Sequence, residues 1–277
     1  MTILVCNANG RVGREVATAL LAAGEKIRIG ARSGAGAEAR FPGAEIVGFD
    51  YTQPAALAAA MKGVDAVFSA APYELEPAAT KALIAAAKTA GVKRSVKLSA
   101  LGAEADPNSP HSLAEKALAE SGLEWTVLRP TFFMQNYATM SAGSVRAGAI
   151  YEPAADGATS FVDTRDIAAI AVIALTRPGH NGKAYALTGP AALTRTEVAA
   201  AISQAIGKPV TYVPVDDAAL RGAMAGAPAV LVELMSTLFG YVRQGYTAAL
   251  SGDFEKVTGR KPRDFAGFAR DYKAAWS

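Results

Sequence analysis

One cysteine cannot form an internal disulfide, and two histidines, His111 and His180, without paired ligand spacing give a zinc ion almost nothing to bind, so no metal site is expected. Cys6 lies in the first apolar run and reads as a small core hydrophobe rather than a nucleophile. The chain also lacks a long uncharged apolar stretch. The longest, Ile167 to Thr176, is too short to span a bilayer, which argues against a membrane protein. Surplus charge is missing too: 28 basic residues against 25 acidic leave a net +3, and the basic residues are scattered rather than striped, so nucleic acid is not an expected partner. The one small cluster, Arg260-Lys261-Pro262-Arg263, lies beside a turn and reads as a solvated connection. No basic, apolar and small-residue leader precedes the first strand, which predicts a cytoplasmic location. With 51% apolar and 19% charged residues disorder is not expected, and 277 residues suffice for one large α/β domain or a main domain with a smaller companion.

What is present begins at the N-terminus. Ile3-Leu4-Val5-Cys6 runs into Asn7-Ala8-Asn9-Gly10-Arg11-Val12-Gly13, and then into the helical pattern Val16, Ala19, Leu20, Ala23, closed by Gly24. A short apolar strand, a tight turn and an amphipathic helix form the first βα unit of a dinucleotide-binding fold. Glycine at 10 lets backbone N–H groups approach a pyrophosphate, and glycine at 13 lets the helix lie close to the strand. The usual first glycine is replaced by Asn7, a residue that tolerates a left-handed backbone.

Further apolar runs follow at Lys26–Ala31, Glu45–Phe49, Ala66–Ala70, Ser95–Leu98 and Trp125–Leu128, separated by alanine-rich helical patterns at Ala55–Met61, Pro77–Ala90 and Leu113–Ser121. This alternation predicts right-handed crossovers and a parallel sheet, an α/β fold of doubly wound Rossmann type. Gly24, Gly63, Gly91 and Gly122 fall where helices should stop. The second half is less regular: a helix after Pro130, strand-like pieces around Tyr151 and Phe161, a helix over Asp163–Thr176 capped by Asp163 or Thr164, and a strand at Tyr185–Leu187. From about residue 189 the expected order is a helix at Arg195–Ile206, a strand at Val210–Val213, helices across 217–246 and a last helix at 263–275. The expected domains are therefore 1–188, binding the dinucleotide, and 189–277, a smaller α+β region over the substrate cleft, with parts of 130–165 facing that cleft.

Arg32 ends the second strand near the position where NAD-binding folds place an acid for the ribose 2′-hydroxyl. A cation there suits a 2′-phosphate and predicts NADP(H), unless Arg32 is an ordinary exposed arginine. Arg11, inside the turn, offers a second phosphate contact. The expected cofactor set is completed by Asn7, Asn9, Gly10, Val12 and Gly13 in the turn and by Asp50, Ser69-Ala70-Ala71-Pro72 and Ser99 at later strand ends. Asp50 suits the adenine amino group or, alternatively, a turn before the helix at Pro54. Small residues at 69–72 leave room for phosphates and ribose, or simply make a short loop.

Three stretches carry a resemblance. The run from His111-Ser-Leu-Ala-Glu115 through Ser121-Gly122-Leu123 to Thr126-Val-Leu-Arg129-Pro130-Thr-Phe-Phe-Met-Gln-Asn136, together with Phe161-Val-Asp-Thr-Arg-Asp166 and Gly259-Arg-Lys-Pro262-Arg-Asp-Phe265, resembles the NmrA-like group of atypical short-chain dehydrogenase/reductases. The resemblance covers nearly the whole chain and is nearest to NADPH-dependent quinone oxidoreductases and triphenylmethane reductases. It implies hydride transfer from NADPH to a quinone-like or other conjugated small molecule or, alternatively, a noncatalytic NADP(H)-binding sensor.

The usual Tyr-x-x-x-Lys pair of short-chain dehydrogenases is absent. Its lysine position falls on His111 and its tyrosine position on Pro107. Lys116, one residue past Glu115, is expected on the surface. His111 becomes the best candidate for contact with ribose or substrate, against the plainer reading of a helix-start histidine bonded locally. Tyr73 and Tyr137 are weaker alternatives for a proton donor. Phe132, Phe133, Met134 and Asn136 follow the sixth strand, where substrate should lie, and read either as pocket lining or as packing.

Overall fold

The computed structural model describes residues 1–32 and 36–277. Along the chain run β1 (Thr2–Cys6), α1 (Arg11–Ala22), β2 (Lys26–Ala31), α2 (Ala37–Arg40), β3 (Glu45–Gly48), α3 (Pro54–Met61), β4 (Ala66–Ser69), α4 (Ala78–Ala90), β5 (Arg94–Leu98), α5 (Pro110–Ala119) and β6 (Glu124–Pro130). Two short helices, α6 (Gln135–Ala138) and α7 (Ala142–Arg146), stand where one was expected after Pro130, followed by β7 (Ala149–Glu152). Then come α8 (Thr164–Thr176), β8 (Lys183–Leu187), α9 (Arg195–Ile206) and β9 (Thr211–Pro214). The chain closes with α10 (Asp217–Ala223), α11 (Ala229–Arg243), α12 (Asp253–Thr258) and α13 (Phe265–Asp271), and a 3-10 turn over Lys273–Ala275 takes the end of the expected last helix.

The chain forms two compact units. The first, residues 1–130 and 164–187, holds a parallel sheet of order β3-β2-β1-β4-β5-β6-β8 among the described residues. The order reverses between β1 and β4, which is the switch point of a doubly wound sheet. Strand β1 is buried along its whole length, as a central parallel strand must be when helices cover both faces. Leu4, Cys6, Val67 and Val127 pack with Leu57 and Met61 of α3, Leu83 and Ala87 of α4 and Leu118 of α5. On the other face α8 lies against α1 and strands β4 to β6. Cys6 is enclosed in this core. Gly24, Gly63, Gly91 and Gly122 all have left-handed φ of 71–82°, as the stop signals required.

The second unit comprises residues 131–163 and 188–277. Residues 131–163, which precede position 188 in a linear division of the chain, cluster here because their apolar side chains find partners on later helices. Met134, Tyr137, Val145, Ile150 and Phe161 share one core with Val198 and Ile202 of α9 and with Phe265 and Phe268 of α13. The same pairing appears in the backbone, where β7 joins β9 in a two-stranded parallel sheet. Phe161 sits between isolated bridges, Phe133 to Val162 and Thr159 to Leu193, rather than in a strand. Among the described residues no helix is long and apolar enough to cross a membrane.

Candidate functional site

The turn after β1 is held open by its own geometry. Asn7 takes φ 58°, and its Nδ2 donates to the Ala70 carbonyl at 3.1 Å, tying the turn to the end of β4. Helix α1 starts at Arg11 with Gly10 at its N-cap, no side-chain cap and no acidic residue in its first turn. Its leading N–H groups, which have no intrahelical partners, and the positive end of its dipole are thus left for an anion. A Cβ on Gly13 would lie 2.3 Å from the Asn7 carbonyl oxygen, so only glycine lets the helix approach the strand this closely. A Cβ on Gly10 would meet Asn7 Nδ2 at 3.1 Å. Val12 and Gly13 are buried, whereas Asn7, Asn9 and Arg11 are exposed.

Arg32 is exposed at the end of β2, and its charge helps hold the Asp50 carboxyl below the usual range. The larger cause of that shift is hydrogen bonding: Asp50 accepts from the Thr52 backbone N–H at 2.8 Å and from Thr52 Oγ1 at 2.7 Å, so the carboxylate also builds its own turn. Arg40, in the short helix after β2, was not foreseen. Its Nη1 donates to Asn9 Oδ1 at 2.6 Å, which brings a further cation to the glycine turn. Ser69 and Ala70 are buried, Ala71 and Pro72 half-buried, and the chain then passes into a 3-10 turn, Tyr73–Leu75.

His111 is the second residue of α5, whose N-cap Ser109 accepts from the Ser112 N–H at 3.2 Å. Its ring stands edge-on to Tyr73 with centroids 5.4 Å apart, so the structure brings two of the three candidate donors together. His111 Nδ1 is buried without a hydrogen-bond partner. Burial, reinforced by the Lys97 charge and opposed by Glu76 and Glu115, lowers its pKa to about 4, so the imidazole is neutral at physiological pH. Ser99 is buried, and its hydroxyl donates to Glu115, which also accepts from Arg129 Nη2 at 2.5 Å. Lys116 is on the surface beside Glu120.

The remaining candidates lie in the second unit. Met134 is buried in its core. Phe132 is half-buried, 6.5 Å from the Phe161 ring and 6.0 Å from the Phe239 ring, while Phe133 and Asn136 are also half-buried. Asn136 Oδ1 is buried without a partner. Tyr137 is enclosed, and its hydroxyl meets Glu152 Oε2 at 3.3 Å. Burial pushes its phenol well above the ordinary value, which makes it a poor acid. Glu152 also pairs with the fully buried Arg195, Nε to Oε2 at 2.8 Å, in a group that includes Thr159 Oγ1, 2.7 Å from Arg195 Nη1.

Sequence reading missed Lys97 and Glu76, whose side chains form a buried ion pair in the first unit. A lysine in the apolar run Ser95-Val96-Lys97-Leu98 is itself a signal, because a charge in a central strand needs a partner. Nothing in the sequence points to Glu76 as that partner.

A model of the NmrA-like family matches residues 1–269. The chain is 39% identical over 284 aligned residues to an NAD(P)H azoreductase of Xenophilus azovorans, with 99% of each chain covered. It superposes with a TM-score of 0.84 on an NADPH-dependent quinone oxidoreductase of Escherichia coli complexed with NADPH, at 28% identity over 98% of this chain and 99% of that one. The same TM-score, at 26% identity over 98% and 100% of the two chains, relates it to the Citrobacter triphenylmethane reductase complexed with NADP(H).

Proposed function

The chain belongs to the NmrA-like family, and from that premise we propose that it is an NADPH-dependent reductase passing hydride to a quinone-like or other conjugated small molecule. The observation that carries this reading is the start of α1, where a glycine N-cap, no side-chain cap and no acid in the first turn leave an anion cradle, and where Gly13 lets the helix lie against the strand because any Cβ there would meet the Asn7 carbonyl. The pyrophosphate belongs on Asn7, Asn9, Gly10, Val12 and Gly13. Arg32, with Arg11, takes the 2′-phosphate, and Asp50 faces the adenine end. Ser69-Ala70-Ala71-Pro72 and Ser99 line the path of the nicotinamide ribose. Bound NADPH supplies the hydride.

The chain's own part is to bind and orient. His111, neutral and with one buried nitrogen unpartnered, is suited to a hydrogen bond with ribose or acceptor. Phe132, Phe133 and Asn136 are proposed for the acceptor side, with Phe132 and Phe133 offering ring surface to a flat molecule, whereas Met134 is enclosed in the core and serves packing instead. A conjugated acceptor delocalises incoming charge, so the lack of a tyrosine at the Pro107 position is no obstacle to reduction. Tyr73, beside His111, is the better placed of the two tyrosines to donate a proton.

Oxidation of NADPH, followed by absorbance, against a panel of quinones, azo and triphenylmethane dyes and enones tests the reading. Turnover with at least one class is expected. Tight NADPH binding with no turnover on any would overturn the reductase and favour a noncatalytic sensor, the reading that the missing tyrosine also permits.

A further inference from the structure

Lys97 and Glu76 form an ion pair that solvent does not reach, their side chains being 1% and 0% exposed. Enclosing two charges is costly, and a buried pair seldom stabilises a fold more than apolar side chains of similar volume. Lys97 comes from β5, in the middle of the sheet, where an apolar residue would pack well. Glu76 directly follows the Tyr73–Leu75 turn and also accepts from Thr80 Oγ1 at 2.8 Å, so the pair ties that turn to both the sheet and α4. The turn carries Tyr73, whose ring is the edge-on neighbour of His111. The charges that act on the His111 ring are Lys97 from β5, Glu76 from the end of the turn and Glu115 from its own helix.

We propose that Lys97 and Glu76 are a positioning pair for His111: the buried ion pair fixes the turn that sets Tyr73 against the imidazole and keeps a positive charge, Lys97, among the groups around the ring. The proposal rests on the reading of His111 as a contact for ribose or acceptor. A neutral imidazole offers one donor and one acceptor, whereas an imidazolium offers two donors, so the pair selects which hydrogen bonds the ring makes.

The chain has only two histidines, so ring NMR titration resolves both, with His180→Gln assigning them. In the parent, His111 should titrate well below 6.5. Lys97→Met removes the positive charge and should move His111 upward. Glu76→Gln keeps the size of the side chain and one accepting oxygen, removes the negative charge and should move His111 further down. Opposite shifts are the mark of charge, because a merely structural pair would loosen the pocket in both variants and send both values up towards 6.5. A parent value near 6.5, shifts of the same sign or no shift would overturn the proposal. If Lys97→Met fails to fold, the parent and Glu76→Gln decide it, since loosening cannot give a downward shift. The pH profile of NADPH-dependent quinone reduction should move with the NMR value in each folded variant. NMR shifts without a moved profile would overturn the role of His111 in reduction while leaving the pair's control of the ring standing.

Discussion

A guanidinium at the end of β2 gains a charge-assisted bond from a 2′-phosphate and much less from a 2′-hydroxyl, so cofactor choice should turn on Arg32. Such contacts are worth roughly 1.5–3 kcal/mol, which corresponds to a preference for NADPH over NADH of about tenfold or more. Arg32→Ala should remove most of that preference while leaving NADH affinity nearly unchanged, as fluorescence titration of both cofactors will read. Equal affinities in the parent would refute the assignment. His111 calls for a different expectation. Under the proposed reading it would supply one polar contact in a reaction governed by proximity and orientation, so His111→Ala should slow quinone reduction by about 1–3 kcal/mol, or about 5- to 150-fold, without stopping it. Complete loss of turnover in a folded variant that still binds NADPH would instead make His111 an obligatory proton donor.

At the scale of elements, the proposed cofactor cradle is the β1 turn with the first turn of α1, and the space around its two glycines differs. Gly13→Ala places a methyl 2.3 Å from the Asn7 carbonyl oxygen, an overlap that only movement of helix or strand relieves. It should cost about 1–3 kcal/mol of stability and lose NADPH binding together. Gly10→Ala, whose methyl meets the side-chain nitrogen of Asn7 at 3.1 Å, should leave the fold intact and weaken binding alone. Thermal melting beside cofactor titration separates the two, and a Gly13→Ala variant that melts and binds like the parent would contradict the close approach. This turn was legible in the sequence because strand, glycine spacing and helix periodicity agree there, and Asn7 in the left-handed region fits its residue type. The β/α alternation to β6 was legible for the same reason. Short elements such as α2 and α12 were not, since four to six residues carry no period to read. Nor was the partnership of 131–163 with α9 and α13, which depends on contacts between residues far apart in the chain. Lys97 with Glu76, Ser99 with Glu115 and Arg40 with Asn9 stayed hidden likewise: each pair is made by the folded backbone, 16 to 31 residues apart, and neither member announces the other.

At the scale of the whole molecule, a neutral histidine packed into the first unit makes folding depend on pH. The ordinary value of 6.5 applies to His111 in the unfolded chain, while burial and the Lys97 charge lower it to about 4 in the fold. Between those values the unfolded chain holds a proton that the folded protein does not. Stability is therefore complete above pH 6.5, falls as pH drops towards 4, and levels off below, where both states are protonated. The span corresponds to at most about 3 kcal/mol. Other groups act in the same range or just beneath it: His180 is also lowered by partial burial, and Glu197, whose carboxylate accepts from the Thr194 backbone N–H and hydroxyl, loses its contribution as it protonates at lower pH. Subtraction isolates His111. Urea midpoints for the parent and for His111→Gln should lie a constant distance apart above pH 7 and converge, or cross, between pH 6.5 and 4.5, because only the parent carries this proton linkage. Curves that stay parallel over that interval would mean that His111 titrates alike in the folded and unfolded chain, and the ring would then be open to solvent rather than held neutral beside Tyr73.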